Sequence, residues 1–245
     1  MAKTRIDQLL VSRGLAPTRE RAQALIMAGL VYVDDARIEK AGHAVAEDAE
    51  IDVRGGDHPY VSRGGVKLAG ALDAFAVDPK GRVCLDLGAS TGGFTDCLLQ
   101  RGAAKVIAVD VGYGQLAHKL RVDPRVVVME RTNARALTAE TIGGEVDLTV
   151  VDASFIGLAL LLDAIYACTK KNGEVVALVK PQFEVGREEA TKNRGVIRDD
   201  ALRSETIARV RGEMISRRFE VLGESDSVIE GPKGNREAFL YAKKI

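Results

Sequence analysis

The chain has 245 residues, enough for one large domain or for a small one beside a mid-sized one, and its apolar share of 46% supports a real core. The formal net charge is zero, so global charge does not announce a nucleic-acid partner. Three scattered cysteines, Cys84, Cys97 and Cys168, and three histidines offer neither a disulfide framework nor a metal-ligand spacing. No metal site is expected. The longest apolar run, around Ile156 to Leu162, stops at Asp163 and is too short to span a bilayer. Met1-Ala2-Lys3-Thr4 opens into an amphipathic pattern without a signal-peptide stretch. A reduced, cytoplasmic, soluble protein is the expectation, with no membrane partner; the oligomeric state is not legible.

Apolar residues at Ile6, Leu9, Leu10 and Val11 suit a helix from Arg5 to Leu15, stopped at Gly14. Thr18 is a natural cap for a second helix with Ala22, Leu25, Ile26 and Leu30 on its apolar face. Val31-Tyr32-Val33, Val45 and Ile51-Asp52-Val53 read as short strands, with a turn at Asp34-Asp35. Residues 1–31 carry Lys3, Arg5, Arg13, Arg19 and Arg21 against Asp7 and Glu20, whereas residues 32–58 are mostly acidic. This first unit therefore has a basic front and an acidic back. Gly and Pro cluster in residues 54–59, the best place for a break. The expected division is a small α+β domain over 1–59, a linker over 60–66 and a second domain over 67–245.

The second domain alternates strand and helix signals. A helical face runs from Val66 to Phe75. Strands follow at 83–87, 106–110, 126–129, 146–151 and 174–180, with helices from Gly92 and over 156–168 and 201–215. Two last strands, 219–222 and 237–242, are joined by the turn Gly231-Pro232-Lys233-Gly234 and should pair antiparallel. The expected fold is α/β, a mostly parallel doubly wound sheet with an antiparallel last strand.

Asp86-Leu87-Gly88-Ala89-Ser90-Thr91-Gly92-Gly93-Phe94 closes one strand and opens a helix, so glycines let a ligand approach the backbone. The next strand ends in Asp110, where a carboxylate can accept from both hydroxyls of a ribose. A nucleoside cofactor is indicated. The spacing is not G-x-G-x-x-G, and no G-x-x-x-x-G-K-[ST] occurs. Two further strands end in Asp152 and in Lys180-Pro181, on the edge where open sheets bind ligands. A lysine there either snorkels to water or serves a site.

The pattern D-L-G-x-x-x-G-G resembles the first motif of S-adenosylmethionine-dependent methyltransferases. Lys67, Asp152, Lys180 and Glu237 match, in order and topological place, the Lys-Asp-Lys-Glu tetrad of FtsJ-like ribose 2′-O-methyltransferases, which have a Rossmann-like class I fold. Tyr60-Val61-Ser62-Arg63-Gly64-Gly65, Asp152-Ala153-Ser154-Phe155-Ile156, Val179-Lys180-Pro181-Gln182-Phe183-Glu184-Val185-Gly186 and Gly231-Pro232-Lys233-Gly234-Asn235 closely resemble the TlyA family of ribosomal RNA 2′-O-methyltransferases, often called hemolysins. The N-terminal unit is similar to the S4 RNA-binding domain. One departure is Tyr60, where the family often has tryptophan.

The resemblance implies methyl transfer from S-adenosylmethionine to a cytidine 2′-hydroxyl of small- and in some members large-subunit rRNA. It implies Lys180 as base, oriented by Asp152, with Lys67 on the 2′-oxygen and Glu237 positioning Lys67 or the ribose; alternatively, the tetrad only steers the hydroxyl. Asp86, Gly88, Ser90, Gly92, Gly93, Phe94, Asp110 and Asp152 would hold the cofactor, and Asn133 would meet its adenine or simply make a turn. Arg5, Arg13, Arg19, Arg21, Tyr60 and Arg63 would bind RNA, extended by Arg187, Lys192, Arg194 and Arg198. Rival readings are a membrane-acting hemolysin and a non-catalytic RNA-binding protein.

Overall fold

The computed structural model describes residues 3–34, 36–53, 58–231 and 234–245. The chain divides into two units, Met1–Pro59 and Tyr60–Ile245. The expected turn residue Asp35, residues 54–57 of the expected break, and Pro232 and Lys233 of the expected hairpin turn lie outside the described residues.

The first unit runs β1 (Lys3–Arg5), α1 (Ile6–Ser12), α2 (Arg19–Met27), β2 (Val31–Val33), β3 (Ala36–Arg37), β4 (Ala44–Ala46) and β5 (Ile51–Val53). β1 pairs with β4, and β2 lies between β3 and β5, all antiparallel. Thr18 caps α2, its Oγ1 accepting from Arg21 N at 3.2 Å. Ile6, Leu9 and Leu10 of α1 pack on Leu25 and Ile26 of α2 and on Val31 and Val45. α1 ends earlier than its apolar pattern suggests, because Leu15 N and Ala16 N both turn back to Leu10 O.

The second unit runs α3 (Gly64–Ala74), β6 (Val83–Leu87), α4 (Gly93–Gln100), β7 (Lys105–Val109), α5 (His118–Arg121), β8 (Val126–Met129), β9 (Val146–Val151), α6 (Leu162–Cys168), β10 (Thr169–Val179), α7 (Pro181–Glu184), α8 (Arg187–Lys192), α9 (Asp200–Ser216), β11 (Phe219–Asp226) and β12 (Ala238–Lys244). The seven strands form one sheet in the order β11-β12-β10-β9-β6-β7-β8, parallel except for β12. Strand alternation sorts the core onto two faces. Leu85, Leu87, Ile107, Val109, Val175 and Ala177 face α6 and α9. Cys84, Val106, Ala108, Leu148, Val176 and Leu178 face α3 and α4. Each fully buried Leu, Ile or Val among them contributes about 1.5–3 kcal/mol of transfer free energy.

Three local readings change. Residues 60–66, the expected linker, lie within the second unit: Tyr60 and Val61 pack on its core and Gly64 already opens α3. β10 begins at Thr169 rather than at Glu174, and passes through an irregularity that holds Asn172 at φ 61°. The helix expected from Ile156 begins only at Leu162, since Phe155 at φ 64° and a 3-10 turn over Leu158–Leu160 come first.

Candidate active site

β6 and β9 are neighbours, yet the chain leaves β6 toward β7 and returns to β9 on the other side. Their carboxyl ends therefore flank the crevice where such sheets take ligands. Gly88 follows β6 at φ 87°, and a Cβ built there would lie 2.8 Å from the Asp152 carbonyl oxygen after β9. Only glycine permits this approach. Asp110, after β7, shapes the same turn: one carboxylate oxygen accepts from Ser90 N at 2.8 Å and the other from Gly112 N at 2.7 Å. Gly92 precedes α4 at φ 98°, and Phe94 in the first turn of that helix is buried against Phe239, centroids 6.1 Å apart.

Asp86 lies under this turn with no exposed surface. Its Oδ2 accepts from Thr95 Oγ1 at 2.6 Å, and its Oδ1 has no hydrogen-bond partner among the described residues. Burial pushes its pKa up to about 7.

Two cavities meet at Gly88, Ser90 and Asp152. The larger, about 580 Å³, is lined by Asp110, Gln115, Asn133, Ser154, Ile156 and Leu161 among others. The smaller, about 200 Å³, is lined by Ser62, Arg63, Lys67, Gly93, Phe94 and Asp152 among others. Asn133 borders the larger cavity, and its side chain accepts from Arg135 N at 3.1 Å to make a turn.

The four tetrad residues form two ion pairs. Lys180 Nζ stands 2.6 Å from Asp152 Oδ1. It also donates to Ser154 Oγ at 2.7 Å and to the Asp152 carbonyl at 3.4 Å. Lys67 Nζ donates to Glu237 Oε2 at 2.5 Å, and Gln182 Nε2 donates to the other Glu237 oxygen at 3.2 Å. Lys67 sits on α3, whereas Glu237 stands just before β12 rather than within it. Burial raises the Asp152 pKa above the usual carboxylate range, opposed by the charges of Lys180 and Lys67. Ser154 and Gln182 were not singled out from sequence as contacts of the tetrad; serine and glutamine in loops carry no periodic signal.

The basic residues are more engaged than their sequence suggests. Arg5 and Arg19 both bond the buried Asp7 carboxylate. Arg13 donates to the carbonyls of Ala49 and Glu47. Arg21 is half-buried on α2. Arg63 is exposed and donates to Glu230 O at 3.2 Å. Tyr60 is half-buried, its ring packed against Gly65 and the core of the second unit. Lys192 pairs with Glu189, Arg194 and Arg198 lie in the following segment, and the Arg187 side chain lies outside the described residues.

The family described as FtsJ-like methyltransferase matches residues 60–244, and the S4 domain matches residues 4–51. The chain is 49% identical over 242 residues to the 16S/23S rRNA (cytidine-2′-O)-methyltransferase TlyA of Mycobacterium tuberculosis, covering 98% of this chain and 90% of that protein. Among solved structures, one from Streptococcus thermophilus that carries a hemolysin name superposes with a TM-score of 0.78 at 40% identity, covering 100% of this chain and 89% of that one. An S-adenosylmethionine-dependent methyltransferase from Listeria monocytogenes shares the fold at a TM-score of 0.56 and 13% identity, covering 75% of this chain and 98% of that one.

Proposed function

Because the chain belongs to the FtsJ-like methyltransferase family, with an S4 domain before it, we propose that it transfers a methyl group from S-adenosylmethionine to a cytidine 2′-hydroxyl of ribosomal RNA, in the small and also the large subunit. One observation carries this reading. Lys67 and Asp152 of the two ion pairs line a cavity that joins, at Gly88 and Asp152, a larger one bordered by Asp110 and Asn133. Such a substrate implies work in the cytoplasm. The hemolysin name belongs to relatives; no helix among the described residues is long and apolar enough to cross a membrane.

The residues present fit S-adenosylmethionine. The unpartnered, buried Asp86 Oδ1 beneath the turn is an acceptor suited to the field of a cationic ligand. Gly88, Ser90, Gly92, Gly93 and Phe94 would hold the methionine part, Asp110 the ribose, and Asn133 with Ile156 and Leu161 the adenine side. When bound, the cofactor supplies an electrophilic methyl group on a sulfonium.

The chain's own residues must then hold a ribose hydroxyl in line and take its proton. Lys67, fixed by Glu237, holds the 2′-oxygen and offsets the charge that develops on it. Lys180, held by Asp152 and Ser154, takes the proton in its neutral amine form. A second reading rests on the same geometry: Lys180 already pairs with the Asp152 carboxylate and donates to the Asp152 carbonyl and to Ser154, so it acts as a fixed ammonium that only orients Asp152 and the hydroxyl. Lys180→Arg separates the two, because arginine keeps the charge but accepts no proton. Methyl incorporation from labelled cofactor into 16S and 23S rRNA, with site mapping, is the assay. Lys180→Ala with near-normal transfer would refute the base role, and no incorporation by the wild type into either RNA would refute the enzyme reading.

A further inference from the structure

The first unit holds a carboxylate that attraction to phosphate does not call for. Asp7 stands in the first turn of α1 with no exposed surface. Arg5 grips it with two nitrogens, Nε to Oδ1 and Nη2 to Oδ2, each at 3.0 Å. Arg19 Nε reaches Oδ2 at 2.9 Å from the start of α2, and Gln23 Nε2 reaches it at 3.1 Å. The Arg5 hydrogen bonds, helped by Arg19 and Gln23 and opposed by burial, hold the carboxyl well below the usual range. The anion is therefore permanent.

Both arginine side chains remain about half exposed, 45% for Arg5 and 48% for Arg19. Three elements thus converge on one buried anion that shows two guanidinium groups to solvent. Electrostatically this arrangement is wasteful, since the anion cancels one of the two charges at contact distance. What it gains is geometry. A free surface arginine must give up rotamer freedom when it grips a phosphate, whereas an arginine already clamped at its inner edge does not.

We propose that Asp7 is a positioning residue for RNA: it fixes the planes of Arg5 and Arg19 so that their remaining N–H bonds meet phosphate oxygens of the ribosomal RNA backbone. The inference rests on the reading that RNA is the substrate, and deepens it. Sequence alone marked both arginines as phosphate contacts but treated Asp7 as a charge to be subtracted.

The test exploits a difference in sign. Full-length wild type, Asp7→Asn and the double variant Arg5→Lys/Arg19→Lys are titrated against protein-free 16S and 23S rRNA over a range of salt concentrations. If charge alone mattered, Asp7→Asn would bind about 2- to 5-fold tighter at low salt, since it removes a negative charge from the patch. Positioning demands the opposite: binding on the order of 10-fold weaker, with the salt slope reduced by about one to two as phosphate contacts are lost. The double lysine variant keeps every charge and leaves Asp7 neutralised, but it loses the planar forks; it should also bind about 10-fold weaker. It decides the matter should circular dichroism show Asp7→Asn to be unfolded in the first unit. Folded Asp7→Asn with equal or tighter binding, or unchanged affinity in the double variant, overturns the proposal and leaves the RNA reading standing. Wild type without salt-sensitive rRNA affinity overturns both.

Discussion

Replacing Lys67 by methionine should damage the fold as well as the chemistry, and the two losses can be separated. Glu237 is 1% exposed, and its carboxylate depends on Lys67 Nζ at 2.5 Å and on the Gln182 amide at 3.2 Å. Methionine fills most of the lysine volume but leaves the anion with one neutral donor. Breaking a buried pair in this way costs roughly 3–5 kcal/mol. For a unit the size of Tyr60–Ile245, that corresponds to a fall in melting temperature on the order of 10 °C. The double variant Lys67→Met/Glu237→Leu strands no charge and should melt close to wild type, yet it should transfer no methyl groups. Thermal unfolding followed by circular dichroism at pH 7.5, with methyl incorporation measured beside it, reads all of this. If Lys67→Met melted within about 2 °C of wild type at pH 7.5, Glu237 would not depend on Lys67 and the reasoning would fail.

Asp86 predicts the pH dependence of stability. Its folded pKa, near 7, lies above its unfolded value near 4, so its contribution is full below about pH 4 and is lost as pH rises through about 7, up to roughly 4 kcal/mol; denaturant titrations at several pH values should show that slope, and Asp86→Asn should flatten it. Gly88→Ala forces a Cβ against the Asp152 carbonyl from a left-handed backbone, so calorimetry should find S-adenosylmethionine binding weakened by at least about 10-fold; wild-type affinity would show that the turn can relax. The three cysteines are buried, and burial pushes the Cys84 thiol up to about 12 and the Cys97 and Cys168 thiols up to about 11; mass spectrometry after iodoacetamide should find them unmodified until denaturant is added.

What could be read from the sequence follows physical range. Short apolar runs are local signals, so the first five strands of the second unit were legible from the residues themselves. Asp86, Asp110, Asp152 and Lys180 were legible because each stands at or beside a strand end, where side chains leave the core together. The pairing of Lys67 with Glu237 was not, since the two lie 170 positions apart and only the family resemblance joined them. The fate of the arginines was hidden for a different reason. An arginine that bonds Asp7 and one that faces water look alike in a charge count, and only burial of the acid distinguishes them. β1 (Lys-Thr-Arg) and β3 (Ala-Arg) lack the apolar β-branched residues that mark β2 and β5, so they carry no strand signal.

Asp152 explains why the site is better dissected at its margins than at its centre. Its backbone carbonyl faces Gly88, its carboxylate meets Lys180, and it borders both cavities. Any substitution there changes cofactor space, proton handling and the packing of the glycine turn at once, so its loss of activity would assign no role. Asp110 and Asn133 border only the larger cavity, and Lys67 only the smaller. Substitutions at Asn133 should therefore move cofactor affinity with little effect on the rate at saturating cofactor. Substitutions at Lys67, once Glu237 is neutralised with it, should do the reverse. If both classes moved affinity and rate together, the two cavities would be one functional space, and the separation into a cofactor chamber and a hydroxyl chamber would be wrong.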